Sequence, residues 1–384
     1  MKKDWGRKQQ ILFIVLISLG IAVRYLVMLI GHNYDFDSYC IVGEIAAGFR
    51  SVYAETTRYN YAPLFLCLQG LLYKIAQIWP DHWMVIYRCL IVTVLTAADL
   101  GITAFIADRY SGKQALVFFL NPVSIIITGY HNQFDNIAVL FALISILFFN
   151  KEEGFHKKDA GFLLFFSLSL ITKHILFLMP VFILLMKNVP LKKRLIYAFI
   201  PPLIFLASFI PFALSGNEAL QGIIKNVFLY RSFNNMPLLI IPFKILQFPA
   251  ALRFIVYVVI MIALAWHIRK MEYEPVLLIY FIAMVTFSSA IANQYLAIPM
   301  VSLCVLNVRP WDKVYMIMTG ILLFLNESGF NLVSDIQAAM PGTLIEKLAG
   351  YYAYGGYVVS VWILLFALIH LHKSFHKTQM QINN

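Results

Sequence analysis

The sequence predicts an all-α membrane protein that crosses the bilayer about twelve times, and three observations predict it. Of 384 residues, 61% are hydrophobic and only 13% are charged, against about half apolar and a quarter charged in globular chains. The mean hydropathy is +0.77, so the few charges cannot cover the apolar surface in water. The apolar residues fall in runs of membrane length separated by short polar segments. Those segments hold most of the 30 Lys and Arg behind the net charge of +11. Clustered between apolar runs, that charge reads as positive-inside sidedness rather than as a nucleic-acid surface.

The first run, 11–30, follows the tail "MKKDWGRKQQ". A signal peptide shares that basic start, but this run is long and no small-residue cleavage site precedes the polar loop, so an uncleaved first helix is expected. Further segments are expected over 83–107, 114–129, 135–149, 161–172, 175–187, 194–214, 250–268, 275–290, 294–307, 313–326 and 353–371. The basic clusters are the N-terminal tail, 108–113, 150–158, 187–194, 267–270, 307–313 and the C-terminal tail. One alternating topology puts all of them on the cytoplasmic side. It requires the run 62–79, "APLFLCLQGLLYKIAQIW", not to cross. Its polar residues Gln69, Tyr73, Lys74 and Gln77 fall within an arc of about 140° at 100° per residue. That suits a helix lying in the outer interface; a spanning helix here would turn "DRYSGK" outward.

Segments 161–172 and 175–187 are short and meet at "TKH", as in a broken helix lining a cavity. No internal repeat and no low-complexity stretch divides the chain. It is expected to form one integral-membrane domain, 1–384, with 31–82 as its first outer loop. The four cysteines show no CxxC spacing and give no redox signal.

With this topology the outer face collects the polar chemistry from distant parts of the chain. Ionisable groups beside hydrocarbon are expensive and usually functional. "YDFDSY" follows the first run; in an extended segment Asp35 and Asp37 would point the same way. Such a pair either holds a divalent cation, Mg²⁺ or Mn²⁺, or supplies a general base tuned by its neighbours. A solvated acidic turn or a helix cap is the bland alternative. In "RYNYAP", Arg58 can grip a phosphate, while Tyr59 and Tyr61 either stack on a sugar or anchor the interface. "GYHNQFDN" supplies His131, Gln133 and Asp135 at a hairpin apex, where helix capping is the competing role. "TKH" places Lys173 and His174 where two short helices meet, with a phosphate as the lysine's expected partner. "ANQYLAIP" adds Gln294 and Tyr295, and Arg231 belongs to the same face. The chain lacks a P-loop, a GxGxxG turn, zinc-ligand spacing and a GxSxG elbow.

In their order, these motifs resemble the GT-C superfamily of membrane glycosyltransferases, most of all the GPI mannosyltransferase I catalytic subunit and its prokaryotic relatives. "DFDSY", "GFRSVY" and "RYNYAPL" are similar to that family's DxD, G…Y and R-Y-x-P-L motifs, the last with one extra residue. "LNPVSIIITGYHNQFDNIAV", "LSLITKHILFLMPVFIL" and "NQYLAIP" look like its later blocks, matching at Asp135, Lys173, Gln294 and Tyr295. The resemblance covers residues 31–299 and implies a GT-C-like fold. It also implies an inverting transfer of a monosaccharide, mannose favoured, from a polyprenyl-phosphate donor. The acceptor would be a hydroxyl on a lipid-linked glycan or envelope glycoconjugate, with Asp35 and Asp37 as the catalytic pair. A small partner subunit is compatible with it, and a prokaryotic plasma membrane with an extracytoplasmic active site is the expected location. Two rival readings are a flippase for lipid-linked sugars and an envelope polysaccharide polymerase or ligase. The first expects inverted repeats and midplane polar groups; the second expects arginine-rich outer loops.

Overall fold

The computed structural model describes residues 6–230, 250–306, 308–327, 335 and 338–383. Among them the chain is 79% helix with no strand. The elements run α1 Arg7–Ile30, α2 Tyr34–Ala47, α3 Val52–Glu55, α4 Pro63–Ala76, α5 Trp83–Arg109, α6 Gly112–Leu120, α7 Pro122–Gly129 and α8 Asp135–Phe148. Then follow α9 Lys157–Thr172, α10 Met179–Leu185, α11 Leu191–Ala207, α12 Ile210–Ala213, α13 Asn217–Ile223, α14 Ala250–His267, α15 Tyr273–Thr286, α16 Met300–Val305, α17 Trp311–Glu327 and α18 Leu344–Asn383.

Helix covers most of each expected segment, with turns and short 3₁₀ stretches interrupting 175–187 and 294–307. Among the described residues four helical stretches are long and apolar enough to cross a membrane: Arg7–Ile30, Pro80–Arg109, Leu191–Ala213 and Gly356–Ser374. A fifth arises if α6 and α7, bent by 50°, count as one span. Several other apolar helices are shorter, Asp135–Phe148 and Tyr273–Thr286 among them. Proline sets several of the breaks. Pro122 opens α7 directly after α6, and Pro180 and Pro299 stand at the starts of α10 and α16.

Two breaks are satisfied by buried side chains. At the α6–α7 break, Arg24 from α1 donates to the Phe119 carbonyl at 2.9 Å. Its guanidinium also meets Asp99 of α5 at 3.0 Å and Ser124 at 2.9 Å. Asp99 in turn accepts from Thr128 at 2.8 Å and Asn136 at 2.6 Å. Arg24 and Asp99 are both fully buried. After α9, the freed backbone groups meet Tyr280 of α15, whose hydroxyl donates to the Ile175 carbonyl at 2.7 Å and accepts from the Leu178 N–H at 3.3 Å. Non-helical backbone between apolar helices is tolerated where, as here, protein groups pair with it.

α4 differs from the expectation of an outward polar arc. Lys74 and Gln77 are exposed, but Gln69 and Tyr73 are buried. The reason is α2, which packs close across Gly70: a Cβ there would stand 2.8 Å from the Ala46 Cβ. Gly43 lies as tightly against Tyr87 and Tyr73. Close α2–α4 contact turns Gln69 and Tyr73 inward and leaves apolar Leu71 and Ile78 facing out.

Candidate active site

The site forms where the α2 N-terminus, the 129–135 apex and the break after α9 converge. Asn33 caps α2, its side chain accepting from the Asp35 N–H at 3.1 Å. Asp35 and Asp37 stand in the first turn, where the helix dipole favours anions. This stretch was expected to be extended, with both carboxylates on one side. It is helical instead, and residues two apart on a helix point about 200° apart. Asp35 turns into the site. Asp37 turns to solvent, 53% exposed, with His32 Nδ1 3.6 Å away. The two carboxylates therefore do not converge on one cation. Among the described residues no group of three His, Cys, Asp or Glu side chains gathers as a metal site.

One Asp35 oxygen is fully engaged. Oδ2 accepts from Gln133 Nε2 at 2.6 Å and from Asn33 Nδ2 at 3.1 Å. The same Asn33 amide reaches His131 Nδ1 at 2.7 Å. An amide nitrogen has two hydrogens, one for each partner, so His131 Nδ1 is the acceptor and its ring carries its proton on Nε2. Asp35 Oδ1 has no hydrogen-bond partner among the described residues. Burial holds the Asp35 carboxyl above the ordinary carboxylate range; the Lys173 ammonium and the Asn33 amide pull it back, and the Asp135 carboxylate adds to the rise.

The apex is pinned from both sides. Asn132 adopts a left-handed conformation at φ 56°, which asparagine tolerates. Its amide caps α7 at the Thr128 and Gly129 carbonyls. Arg88 of α5 donates to Asn132 Oδ1 at 3.0 Å and to the Gly31 carbonyl that ends α1. These bonds hold Gln133 against Asp35 and Asp135 at the start of α8.

Lys173 was expected to wait for a phosphate. It already has an anion: its Nζ lies 2.6 Å from Asp135 Oδ2, with side-chain exposures of 4% and 0%. The ammonium also faces the rings of Tyr61 and Phe134, each 4.8 Å away. Tyr61 joins the remaining pieces. Gln294 is within hydrogen-bonding reach of its hydroxyl, the exposed His174 ring lies 6.2 Å from its ring, and Tyr295 is its electrostatic neighbour. Tyr59 has another task. Its hydroxyl donates to the Ala62 carbonyl at 2.7 Å and accepts from the Leu66 N–H at 3.1 Å, bracing the first turn of α4 while its ring is buried. Arg58 stacks over the Tyr34 ring at 3.7 Å, with Nη1 unpaired among the described residues. Arg231 lies outside the described residues.

The arrangement thus brings together Asp35, His131, Gln133, Asp135, Lys173, His174, Gln294 and Tyr295, and leaves Asp37 and Tyr59 apart. Sequence reasoning missed Asn33, whose place directly before an acidic first turn is a helix-start signal. It also missed Tyr230, whose hydroxyl feels the Asp35 carboxylate and acts electrostatically on Tyr61 and Tyr295. Compared with protein-family models, characterised proteins and solved structures, the chain matches none.

Proposed function

We propose that the chain is a GT-C-type glycosyltransferase of the membrane. It would move a monosaccharide, mannose favoured, from a polyprenyl-phosphate donor to an acceptor hydroxyl on the extracytoplasmic side. The observation that carries the reading is Asp35, one oxygen held by two amides and the other without a hydrogen-bond partner among the described residues, beside a cluster of tyrosines and a buried ion pair. A partly desolvated carboxylate with a free oxygen suits a general base, since its basicity is raised toward neutral pH.

In the proposed reaction the acceptor hydroxyl gives its proton to Asp35 Oδ1. Its oxygen bonds to the anomeric carbon as the bond from that carbon to the phosphate oxygen breaks, with inversion, through an oxocarbenium-like state. Polyprenyl phosphate leaves with the electron pair. Arg58, stacked on Tyr34 and with Nη1 unpaired among the described residues, is the cation this reading assigns to that phosphate. Lys173 is neutralised by Asp135, so its role in this reading is to set the field around Asp35 and the faces of Tyr61 and Phe134. No step is routed through a divalent cation, because Asp35 and Asp37 face different ways.

The test is a transfer assay in vesicles holding wild type or Asp35→Asn. Short-chain polyprenyl-phosphate mannose, glucose and other sugars are supplied with a lipid extract of the host, with and without EDTA. Sugar-dependent product, lost by on the order of 10²–10⁴-fold in the variant, supports the reading and names the donor. Undiminished product in Asp35→Asn removes Asp35 as the base. Donor lipid that crosses the bilayer without being consumed favours the flippase reading instead.

A further inference from the structure

We propose that the end of α5 remote from the candidate site holds a phospholipid whose headgroup carries both a phosphate and a primary ammonium, as phosphatidylethanolamine does. The proposal does not depend on the reaction above. A cavity of about 560 Å³ opens there, within the range of about 300–1,000 Å³ usual for small-ligand sites. Asp108, Arg109 and Tyr110 line it from the end of α5, Glu274 and Leu278 from α15, and Leu306 from just after α16.

Three features decide what the cavity can hold. The first is depth. α5 belongs to a stretch long and apolar enough to cross a membrane. Arg88, which braces the candidate site, and Arg109 are separated by about 31 Å along the helix. A hydrocarbon core is about 30 Å thick. The cavity therefore stands at headgroup level on the face opposite the candidate site.

The second feature is charge. Glu274 accepts from Arg109 Nε at 3.1 Å and from the Tyr110 hydroxyl at 2.5 Å, and it also pairs with Arg109 Nη2. Its carboxylate is thus committed. Arg109 Nη1 and the Asp108 carboxylate have no hydrogen-bond partner among the described residues, and Asp108 acts electrostatically on Arg109. One open guanidinium edge and one open carboxylate therefore stand side by side. The first suits a phosphate and the second an ammonium with N–H donors. A simple anion meets two carboxylates against one guanidinium. A divalent cation finds a single uncommitted carboxylate, too few for its shell of oxygens.

The third feature is the apolar wall. Leu278 lies one turn beyond Glu274 on α15, about 6 Å nearer the bilayer interior, and Leu306 flanks the same space. Charged groups at headgroup depth with leucines below them match an amphiphile better than a free solute. The ion pair between α5 and α15 shapes the polar end, with side-chain exposures of 34% for Arg109 and 20% for Glu274.

The experiment compares lipids on the full chain in detergent micelles. The protein is titrated with phosphatidylethanolamine, its N-methyl and N,N-dimethyl analogues, phosphatidylcholine and phosphatidylglycerol, and bound lipid is counted by native mass spectrometry. Glycerophosphoethanolamine, which lacks acyl chains, is the headgroup-only competitor. The expected result is one preferred phosphatidylethanolamine, with affinity falling at each N-methylation, phosphatidylglycerol weaker still, and no displacement by the competitor. Asp108→Asn is expected to weaken phosphatidylethanolamine by at least about tenfold, as for one charged hydrogen bond, and to level it with phosphatidylcholine. Leu306→Trp, which narrows the cavity without changing charge, is expected to weaken it as far. Glu152→Gln, on a side chain 79% exposed, keeps the wild-type order. Equal binding of all five lipids overturns the proposal, and so does a preference for phosphatidylglycerol. Unchanged selectivity in both Asp108→Asn and Leu306→Trp overturns it by placing the lipid elsewhere. Displacement by glycerophosphoethanolamine at equal concentration overturns it in favour of a free solute. The methylation series needs wild type alone, so a flat series overturns the proposal even where a variant does not fold.

Discussion

Replacing Asp135 with asparagine strands the Lys173 ammonium, 4% exposed, without the carboxylate now 2.6 Å from it. At that distance the gross attraction is about 6 kcal/mol for an effective dielectric of 20, most of it offset by the cost of burying both ions. Removing one partner is therefore expected to cost about 3–5 kcal/mol, because the survivor is left as an uncompensated buried charge. With an unfolding entropy of about 2.1 cal/mol/K per residue over 384 residues, that corresponds to a fall in apparent Tm of about 4–6 °C. Lys173→Met alone is expected to fall as far. The double variant Asp135→Asn/Lys173→Met removes both charges and is expected to recover most of the loss, so the cycle is strongly non-additive. The assay is the temperature at which the detergent-solubilised protein loses its monodisperse peak in fluorescence-detected size exclusion. Transfer activity of the double variant is read beside it and is expected to stay low, since the field around Asp35 has changed. Additive Tm losses in the double variant would refute the argument, because they would mean the two groups do not interact in the folded protein.

Asp37→Asn is expected to retain most transfer activity where Asp35→Asn loses it, checked by initial rates in the same vesicles; equal losses would restore a joint role for the pair. Because the Asp35 carboxyl lies above the ordinary carboxylate range and acts when ionised, the rate is expected to fall as pH drops through that raised value. Asn33→Asp keeps the helix cap but replaces an amide donor by a second anion, so the acid limb of the pH–rate profile is expected to move to higher pH. A variant limb that coincides with that of wild type would remove Asn33 as a positioning residue. Asp99→Asn leaves the fully buried Arg24 guanidinium uncompensated and is expected to destabilise by about 3–5 kcal/mol, read as a loss of folded protein on detergent extraction.

Much of the site was legible because polar residues are rare in this chain and costly where they occur. Gln133, Asp135, Lys173 and Gln294 stand at breaks between apolar runs, and breaks are where backbone and side chains need polar partners. The order of those breaks, however, does not say which polar groups satisfy one another. Lys173 and Asp135 are 38 residues apart, and only the packing of α9 against α8 makes them a pair. The acidic motif was misread in its local geometry. Two aspartates after an apolar run suit either a strand-like loop or a helix start, and Asn33 decides for the helix by capping it. The polar arc on 62–79 failed for a tertiary reason. Gly70 and Gly43 allow α2 so close that Gln69 and Tyr73 fall inside. Arg24 and Asp99 each stand alone in an apolar run of the sequence, and nothing in that order pairs them; each is tolerable only beside the other.

The Arg24–Asp99 pair also bears on how the chain is assembled. Arg24 belongs to a helix made before its partners, and an arginine in the apolar run of a lone helix opposes insertion by up to about 2.5–3.5 kcal/mol, the cost at a helix centre. Its carboxylate partner lies 75 residues further on, and the Phe119 carbonyl that it also satisfies lies 95 residues further on. α1 therefore enters the bilayer unfinished and acquires its final position only after α5 and the bent α6–α7 pair have followed it. The candidate site inherits this timing. Asp35 follows directly from α1, while Gln133 and Asp135 follow from α7, and the two halves meet when the buried arginine finds its partner.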